Sequence, residues 1–278
     1  MYHKALIIGA TSGIGHGLAT KLVSQGTHVL LVGRRENLLN DLVNRLGAAN
    51  ATAIPFDITN LSSIPSFADK TTAQHPDIDC LVLNSGIQRA FDFSNPSTLD
   101  LTALDAETTT NYTSHVHLTA AFLRHFLSRP AQQQPTSLIY ISATLALVPG
   151  LLRTPNYNAS KAALHTFILN LRLQLRRSGK SPQLVKIIEV FPPAVQTEIH
   201  DEKHQPDLVD GGSIGMPLGE YVDAMVEGLE QGKEEFAVGH GQGMLDGFEA
   251  ERQRQMGQMV EMLDGSFGKY LKEGARAI

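Results

Sequence analysis

Tyr157 and Lys161 stand four residues apart in "PNYNASKAALHTF", one turn along a shared face if the segment is helical. A phenol ionises near ~10, and an ammonium beside it lowers that value. The pair is suited to giving a proton to a forming alkoxide or taking one from an alcohol. Three hydroxyls, Ser142, Thr144 and Thr154, precede it in "ISATLALVPGLLRTPNY" and are candidates to hold a substrate oxygen. A Tyr/Lys pair alone describes many helix faces; this one lies between the apolar run "SLIYIS" and the helical pattern "AALHTFILNLRLQL", where a strand hands over to a helix. A second constellation lies near the start, where Gly9, Gly13 and Gly15 in "IIGATSGIGHG" follow an apolar run and open another helical pattern. Glycines there allow a sharp turn and close approach of phosphate oxygens, and a helix N-terminus favours their negative charge.

The elements that must position these groups are legible as alternating periods. Runs at 4–9, 28–33, 51–56, 79–84, 137–142 and 184–191 are nearly continuous in apolar residues, as strands buried on both faces must be. Between them, segments such as 13–25, 35–47, 100–128 and 156–178 carry apolar residues at three- and four-residue spacing. The alternation predicts an α/β fold with a doubly wound parallel sheet. At 278 residues and 42% hydrophobic, the chain is expected to form one domain with a full core. The Gly- and Pro-rich stretch 192–219 is too long for a simple connector and reads as a substrate loop or lid. A helix over 219–231, a short strand at 235–239 and a charged amphipathic tail at 243–274 follow, the tail packing on the core or on a second subunit.

The net charge of −5 argues against a nucleic-acid partner or an anionic-membrane anchor. The one cysteine, Cys80, lies in "IDCLVLN" and reads as a buried structural thiol in a reducing compartment. The N-terminal apolar run is too short for a signal segment or a span, so a cytoplasmic protein is expected.

In chain order stand the glycine turn, Asp57-Ile58 after the third run, Asn84-Ser85-Gly86 after the fourth, Asn111 in a long helical segment, Tyr157-x-x-x-Lys161, and "PPAVQT" after the sixth. This series resembles the short-chain dehydrogenase/reductase family over nearly the whole chain, with "LALVP" and "PNYNASKAALH" similar to its DltE-like and fungal oxidoreductase branch. The resemblance implies a Rossmann-type sheet in the order 3-2-1-4-5-6-7, a nicotinamide cofactor, a small-molecule substrate above the carboxyl ends of the strands, and a homodimer or homotetramer built through the helices at 100–128 and 156–178. It places the cofactor along Gly9, Thr11, Ser12, Gly13, Ile14 and Gly15, then Asp57, Ile58, Asn84, Ser85 and Gly86, with Tyr157 and Lys161, and finally Pro192, Val195 and Thr197. Asp57 resembles the adenine acceptor, Asn84 the residue steadying the central strand, Thr197 the hydroxyl at the carboxamide or pyrophosphate, and Asn111 the residue holding a relay water near the lysine.

An NAD site places a carboxylate after the second strand, whereas a 2′-phosphate needs a cation there. Here the chain has Gly33-Arg34-Arg35, and a planar guanidinium can clamp a phosphate. NADP(H) is the expected cofactor. The family's catalytic serine falls on Ala143 when "LALVP" is kept in register; by spacing, Thr144 stands thirteen residues before Tyr157, and Ser142 lies at the strand end. Both remain candidates for the oxygen-holding hydroxyl. The expected reaction is reduction of a ketone or oxidation of a secondary alcohol, the loops at 145–156 and 194–218 suggesting an uncharged, apolar compound. Ala143 leaves open a second class, an isomerase, dehydratase, cyclase or NADP sensor on the same nucleotide site. His200 and His204 in "HDEKH" have the spacing of a metal pair but loop-like surroundings, so no metal is expected. His115 and His117 are assigned no role.

Overall fold

Each apolar run forms a strand because its neighbours on both faces are helices. In the computed structural model, which describes residues 2–129, 135–180, 184–267 and 270, seven parallel strands form one sheet in the order 3-2-1-4-5-6-7. They are β1 (Lys4–Ile8), β2 (His28–Gly33), β3 (Ala51–Pro55), β4 (Cys80–Leu83), β5 (Thr136–Ile141), β6 (Val185–Phe191) and β7 (Glu235–Ala237). Successive strand side chains point to opposite faces: Ile7, Leu31, Val82 and Ile139 meet one apolar layer, Leu6, Leu30, Leu81 and Leu138 the other.

On the first face lie α1 (Gly13–Ser24), α2 (Glu36–Leu46) and α7 (Leu218–Glu230), contributing Leu18, Leu22, Leu39, Tyr221 and Met225. On the second lie α3 (Ile64–Gln74), α5 (Ser114–Ser128) and α6 (Pro155–Arg177), contributing Phe67, Phe122, Phe126, Leu164 and Ile168. The helix α3 had no distinct reading in the sequence. Its "IPSFADKTTAQ" is short and half polar, and is held by Phe67 between Phe56, stacked at 4.0 Å, and Phe122, edge-on at 5.9 Å.

Two other segments differ from simple expectation. The segment 100–128 is α4 (Leu101–Thr108) joined to α5 through a π turn at Thr109–Thr113, a bulge of the kind that turns side chains toward functional sites. The tail runs as α8 (Gly241–Met244), a second π turn at Leu245–Glu249, and α9 (Ala250–Phe267); 268, 269 and 271–274 of the expected tail lie outside the described residues. Its start packs on the core: Leu245 joins Ala146, Leu147 and Phe191 in a small apolar cluster. Cys80 is buried in β4 with a free thiol, and no helix among the described residues is long and apolar enough to cross a membrane.

Candidate active site

A cavity of about 510 Å³ opens at the carboxyl ends of β1, β2, β4, β5 and β6. Both constellations read from the sequence lie in its walls. At one end, Gly9 and Gly13 have φ of 84° and 55°, which glycine adopts without strain. A Cβ at Gly9 would sit 2.8 Å from Ser85 Cα, and one at Gly15 would come within 2.5 Å of Asn84 Nδ2. Asn84 Nδ2 donates to Gly9 O at 2.9 Å, tying the end of β4 to the turn. Thr197 approaches from the other side, its Cγ2 3.2 Å from a Cβ placed on Gly13. Ser12 does not cap α1, so the amides of the first helical turn stay available to an anion.

The two arginines after β2 diverge. Arg34 is 68% exposed and only 4.0 Å from Asp57 Oδ2. Arg35 lies over the glycine turn, with Nη2 donating to Thr11 Oγ1 and Ser12 Oγ at 2.8 Å each and Nη1 to Glu198 Oε2 at 2.9 Å. Two hydroxyls and a guanidinium are a donor set that fits a phosphate, and glycines whose Cβ atoms would fill the turn leave the backbone open to one. The residues present thus fit a nucleotide. Ile14, Asp57, Ile58, Asn84, Ser85, Gly86, Pro192 and Val195 line the same cavity.

At the other end, α6 begins at Pro155, whose missing N–H costs nothing in a first turn, and one turn aligns Tyr157 with Lys161. Tyr157 is 8% and Lys161 3% exposed. Lys161 Nζ donates to Ile141 O at 2.8 Å and lies 5.8 Å from the centroid of the Tyr157 ring. Burial lowers the lysine to about 8, opposed by the charge of Glu189. Burial raises the tyrosine, and Glu107 adds to that rise. Asn111 occupies the π turn: its Oδ1 accepts from Ile87 N at 2.9 Å, and its Nδ2 donates to Ile87 O at 2.9 Å and Ser160 Oγ at 3.1 Å. Gly86 is the spacer between Asn111 and the lysine, since a Cβ there would lie 3.5 Å from Asn111 Oδ1 and 3.8 Å from Lys161 Nζ.

The three hydroxyls separate cleanly. Thr154 is fully buried outside the cavity lining, with its Oγ1 3.3 Å from Leu151 O. Thr144 lines the cavity, with its Cγ2 turned against Gly241 of the tail. Ser142 also lines it, and its buried Oγ has no hydrogen-bond partner among the described residues. An orphaned buried hydroxyl is costly, and a substrate oxygen would relieve it.

The cavity wall supplied by the lid is more polar than its Leu-, Pro- and Gly-rich sequence suggests. Glu198, His200, Lys203 and His204 line it, with Arg89 from the segment after β4. His200 ends a short 3₁₀ turn at Glu198–His200, and His204 lies beyond that turn, so the two do not share a helix face. Sequence reasoning missed the buried ionisable groups around the pair. His115, assigned no role, faces Ser85 Oγ at 3.2 Å and is lowered to about 3 by burial and then by Lys161. Glu107, fully buried on α4, accepts from Asn156 Nδ2 at 3.1 Å. His165 on α6 lies between Glu189 and Glu249. The available signal was a glutamate inside the apolar strand "VKIIEVF", which an uncompensated charge would destabilise.

A seven-stranded Rossmann sheet with a phosphate-compatible glycine turn facing a Tyr/Lys pair defines a nicotinamide-dependent oxidoreductase. The family description "short chain dehydrogenase" matches residues 3–207, and the chain belongs to the short-chain dehydrogenase/reductase family. It is 32% identical over 257 residues to an uncharacterized oxidoreductase DltE of Bacillus subtilis, covering 92% of this chain and 96% of that one. An uncharacterized oxidoreductase of Myxococcus xanthus is 31% identical over 71% of this chain and 74% of its own. Among solved structures, a short-chain dehydrogenase from Sphingobium yanoikuyae in complex with NADPH superposes with a TM-score of 0.74 at 23% identity, covering 99% and 98% of the two chains. A bulky-bulky ketone specific alcohol dehydrogenase from Comamonas testosteroni does so with a TM-score of 0.68 at 22% identity, covering 99% and 96%.

Proposed function

We propose that the protein is an NADP(H)-dependent carbonyl reductase or alcohol dehydrogenase acting on a ketone or secondary alcohol. The observation that carries this reading is the convergence of Tyr157, Lys161 and the unpartnered Ser142 Oγ on one cavity with the glycine turn. Thr11, Ser12 and Arg35 would hold a phosphate, Arg34 would reach a 2′-phosphate from the solvent side, and Asp57 and Asn84 would border the adenosine. When bound, the cofactor supplies or accepts a hydride. Ser142 donates a hydrogen bond to the carbonyl oxygen, with Thr144 beside it. Tyr157 gives that oxygen its proton, and Lys161 favours the phenolate left behind. Asn111, fixed to the Ile87 backbone, keeps a polar route open toward Lys161 from the side of Gly86. Losing an oxygen-holding donor costs about two to three orders of magnitude in rate in hydrolases, which sets the scale expected for Ser142→Ala.

Structural neighbours support a nicotinamide cofactor without choosing between its forms, one being in complex with NADPH and a reductase from Brucella melitensis with NADH, and a third is specific for bulky ketones. The test is equilibrium titration with NADPH and NADH by nucleotide fluorescence. NADPH at least about tenfold tighter, with the preference lost on Arg34→Ala or Arg35→Ala, supports the reading. Equal affinities overturn the NADP(H) preference, and no binding of either overturns the nucleotide site. The protein is proposed to be a homodimer or homotetramer in the cytoplasm; a monodisperse monomer in light scattering at micromolar concentration counts against the assembly.

A further inference from the structure

Beneath the lysine, α6 crosses the sheet on polar rungs within an otherwise apolar interface. Lys161 reaches Ile141 O at 2.8 Å; Arg172 reaches Ile187 O at 3.1 Å, Glu234 O at 2.7 Å and Glu235 Oε1 at 2.6 Å. Between them, one turn beyond Lys161, stands His165. Its Nδ1 is 2.9 Å from Glu189 Oε2 and its Nε2 is 3.1 Å from Glu249 Oε1, with all three side chains fully buried. A carboxylate offers only acceptors, and a neutral imidazole has only one N–H. Two carboxylates facing both ring nitrogens therefore fit an imidazolium.

Glu189 is placed to act on the lysine through the sheet register. Tyr140 pairs with Glu189 and Ile141 with Val190, so the carboxylate lies one residue from the position opposite the carbonyl that Lys161 grips. We propose that His165 is a positioning residue that holds the Glu189 carboxylate in place as the standing counter-charge of Lys161. The inference rests on reading Lys161 as the partner of Tyr157, and it adds a specific claim: a buried ion triad, one member of which comes from the tail, sets the charge of the catalytic lysine.

The surrounding groups fit this role. Around the lysine, α6 offers Tyr157, α5 offers His115 and β6 offers Glu189; of these only Glu189 holds the ammonium charged, against its desolvation. Around the triad, β5 offers the Tyr140 hydroxyl, bonded to Thr119 at 2.7 Å, β7 offers Glu235 paired with Arg172, and the tail offers Arg252, 2.9 Å from Glu249 Oε2. Burial pushes His165 down, but donation from the imidazole to carboxylate oxygen and the charges of Glu189 and Glu249 raise it to about 9. His165, Glu189 and Glu235 also have ligand-type atoms within 4.8 Å of one another, but Arg172 already takes Glu235 and His165 Nδ1 already bonds Glu189, while His165 Nε2 faces Glu249 at 3.1 Å as an ion pair without hydrogen-bond geometry.

The test reads Lys161 directly, without substrate or cofactor. In protein labelled with ¹³C at lysine Cε, the Lys161 resonance is assigned by its loss in Lys161→Met and followed against pH, with a midpoint near 8 expected in the unsubstituted protein. Glu189→Gln and His165→Gln are expected to lower the midpoint by about one unit, and Glu249→Gln, on the tail, by less. A merely structural role predicts the opposite: a loosened, hydrated helix raises the midpoint toward the free-lysine value near ~10.4. An unchanged or raised midpoint in the folded variants overturns the proposal, and Glu249→Gln serves if either core variant does not fold. NADPH titration of the same samples separates the two readings. A lowered midpoint in a protein that binds no nucleotide leaves the triad standing and removes the proposed function.

Discussion

Two buried carboxylates flank the Tyr/Lys pair, and they are held in opposite ways. Glu107, on the tyrosine side, takes a neutral donor from Asn156 and lies within the field of Arg89, and its Oε2 has no hydrogen-bond partner among the described residues. Glu189, on the lysine side, faces an imidazolium that also faces Glu249. Burial is complete in both places, so burial does not decide the charge; the partner does. Desolvation wins at Glu107 and raises it to about 7 from 4.5. Carboxylate partners win at His165 and raise it to about 9 from 6.5. The carboxyl near the tyrosine thus changes charge close to neutral pH, while the imidazole beside the lysine does so only toward about pH 9.

Both clusters weaken the fold as pH rises, in successive windows. A carboxyl raised in the folded state binds its proton where the unfolded chain has lost it, so stability falls from about pH 4.5 to about 7 for Glu107. A histidine raised in the folded state contributes fully below its unfolded value and loses that contribution between about pH 6.5 and 9. The largest break in the comparison is His165→Ala. It leaves two carboxylates buried without their cation and is expected to cost about 3–5 kcal/mol at pH 7 in urea unfolding; a cost below about 1 kcal/mol means the imidazole is not charged.

Next comes Glu107→Gln, which keeps the shape and removes the titration. It is expected to gain about 2–3 kcal/mol over the unsubstituted protein at pH 8 and nothing at pH 4; parallel stabilities from pH 4 to 8 show that Glu107 does not titrate there. Glu249→Gln should cost about 1–2 kcal/mol at pH 7 and flatten the fall between pH 6.5 and 9, whereas an unchanged slope assigns that window to another group. The smallest effect belongs to Asn156→Ala, which removes the donor to Glu107. It should cost about 1 kcal/mol and carry the upper end of the lower window to higher pH, visible in a stability-against-pH series as a loss that begins at the same pH and continues past about 7.

The sheet order was carried by six ordered motifs and by apolar runs that needed no register argument, because strands buried on both faces read continuously. The short helix α3 escaped because its half-polar sequence is held through its own Phe67, packed between Phe56 just before the helix and Phe122 far along the chain. Tyr157 with Lys161 and the glycine turn were picked out by spacing and Asn111 by resemblance to the family; Tyr157, Lys161, Gly9 and Gly13 line one cavity, and Asn111 lies beside Gly86 at its edge. The divergence of Arg34 and Arg35 was not, since adjacent residues at a helix start point apart and the partners that turn Arg35 inward, Thr11, Ser12 and Glu198, lie elsewhere in the chain. The choice between Ser142 and Thr144 was similarly closed to spacing; both line the cavity, Ser142 with a buried unpartnered oxygen and Thr144 with its methyl against Gly241. Glu107 and the His165 triad escaped because a buried ion network has no sequence period, only charged residues at core positions.

The most direct test of the proposed chemistry is a single-turnover measurement of label transfer from C4-deuterated NADPH to a panel of ketones, read by mass spectrometry of the alcohol product. The account predicts deuterium in at least one alcohol, with the rate falling by about three orders of magnitude or more in Tyr157→Phe. Tight NADPH binding with no label in any product, or transfer at an unchanged rate without the tyrosine hydroxyl, would contradict it.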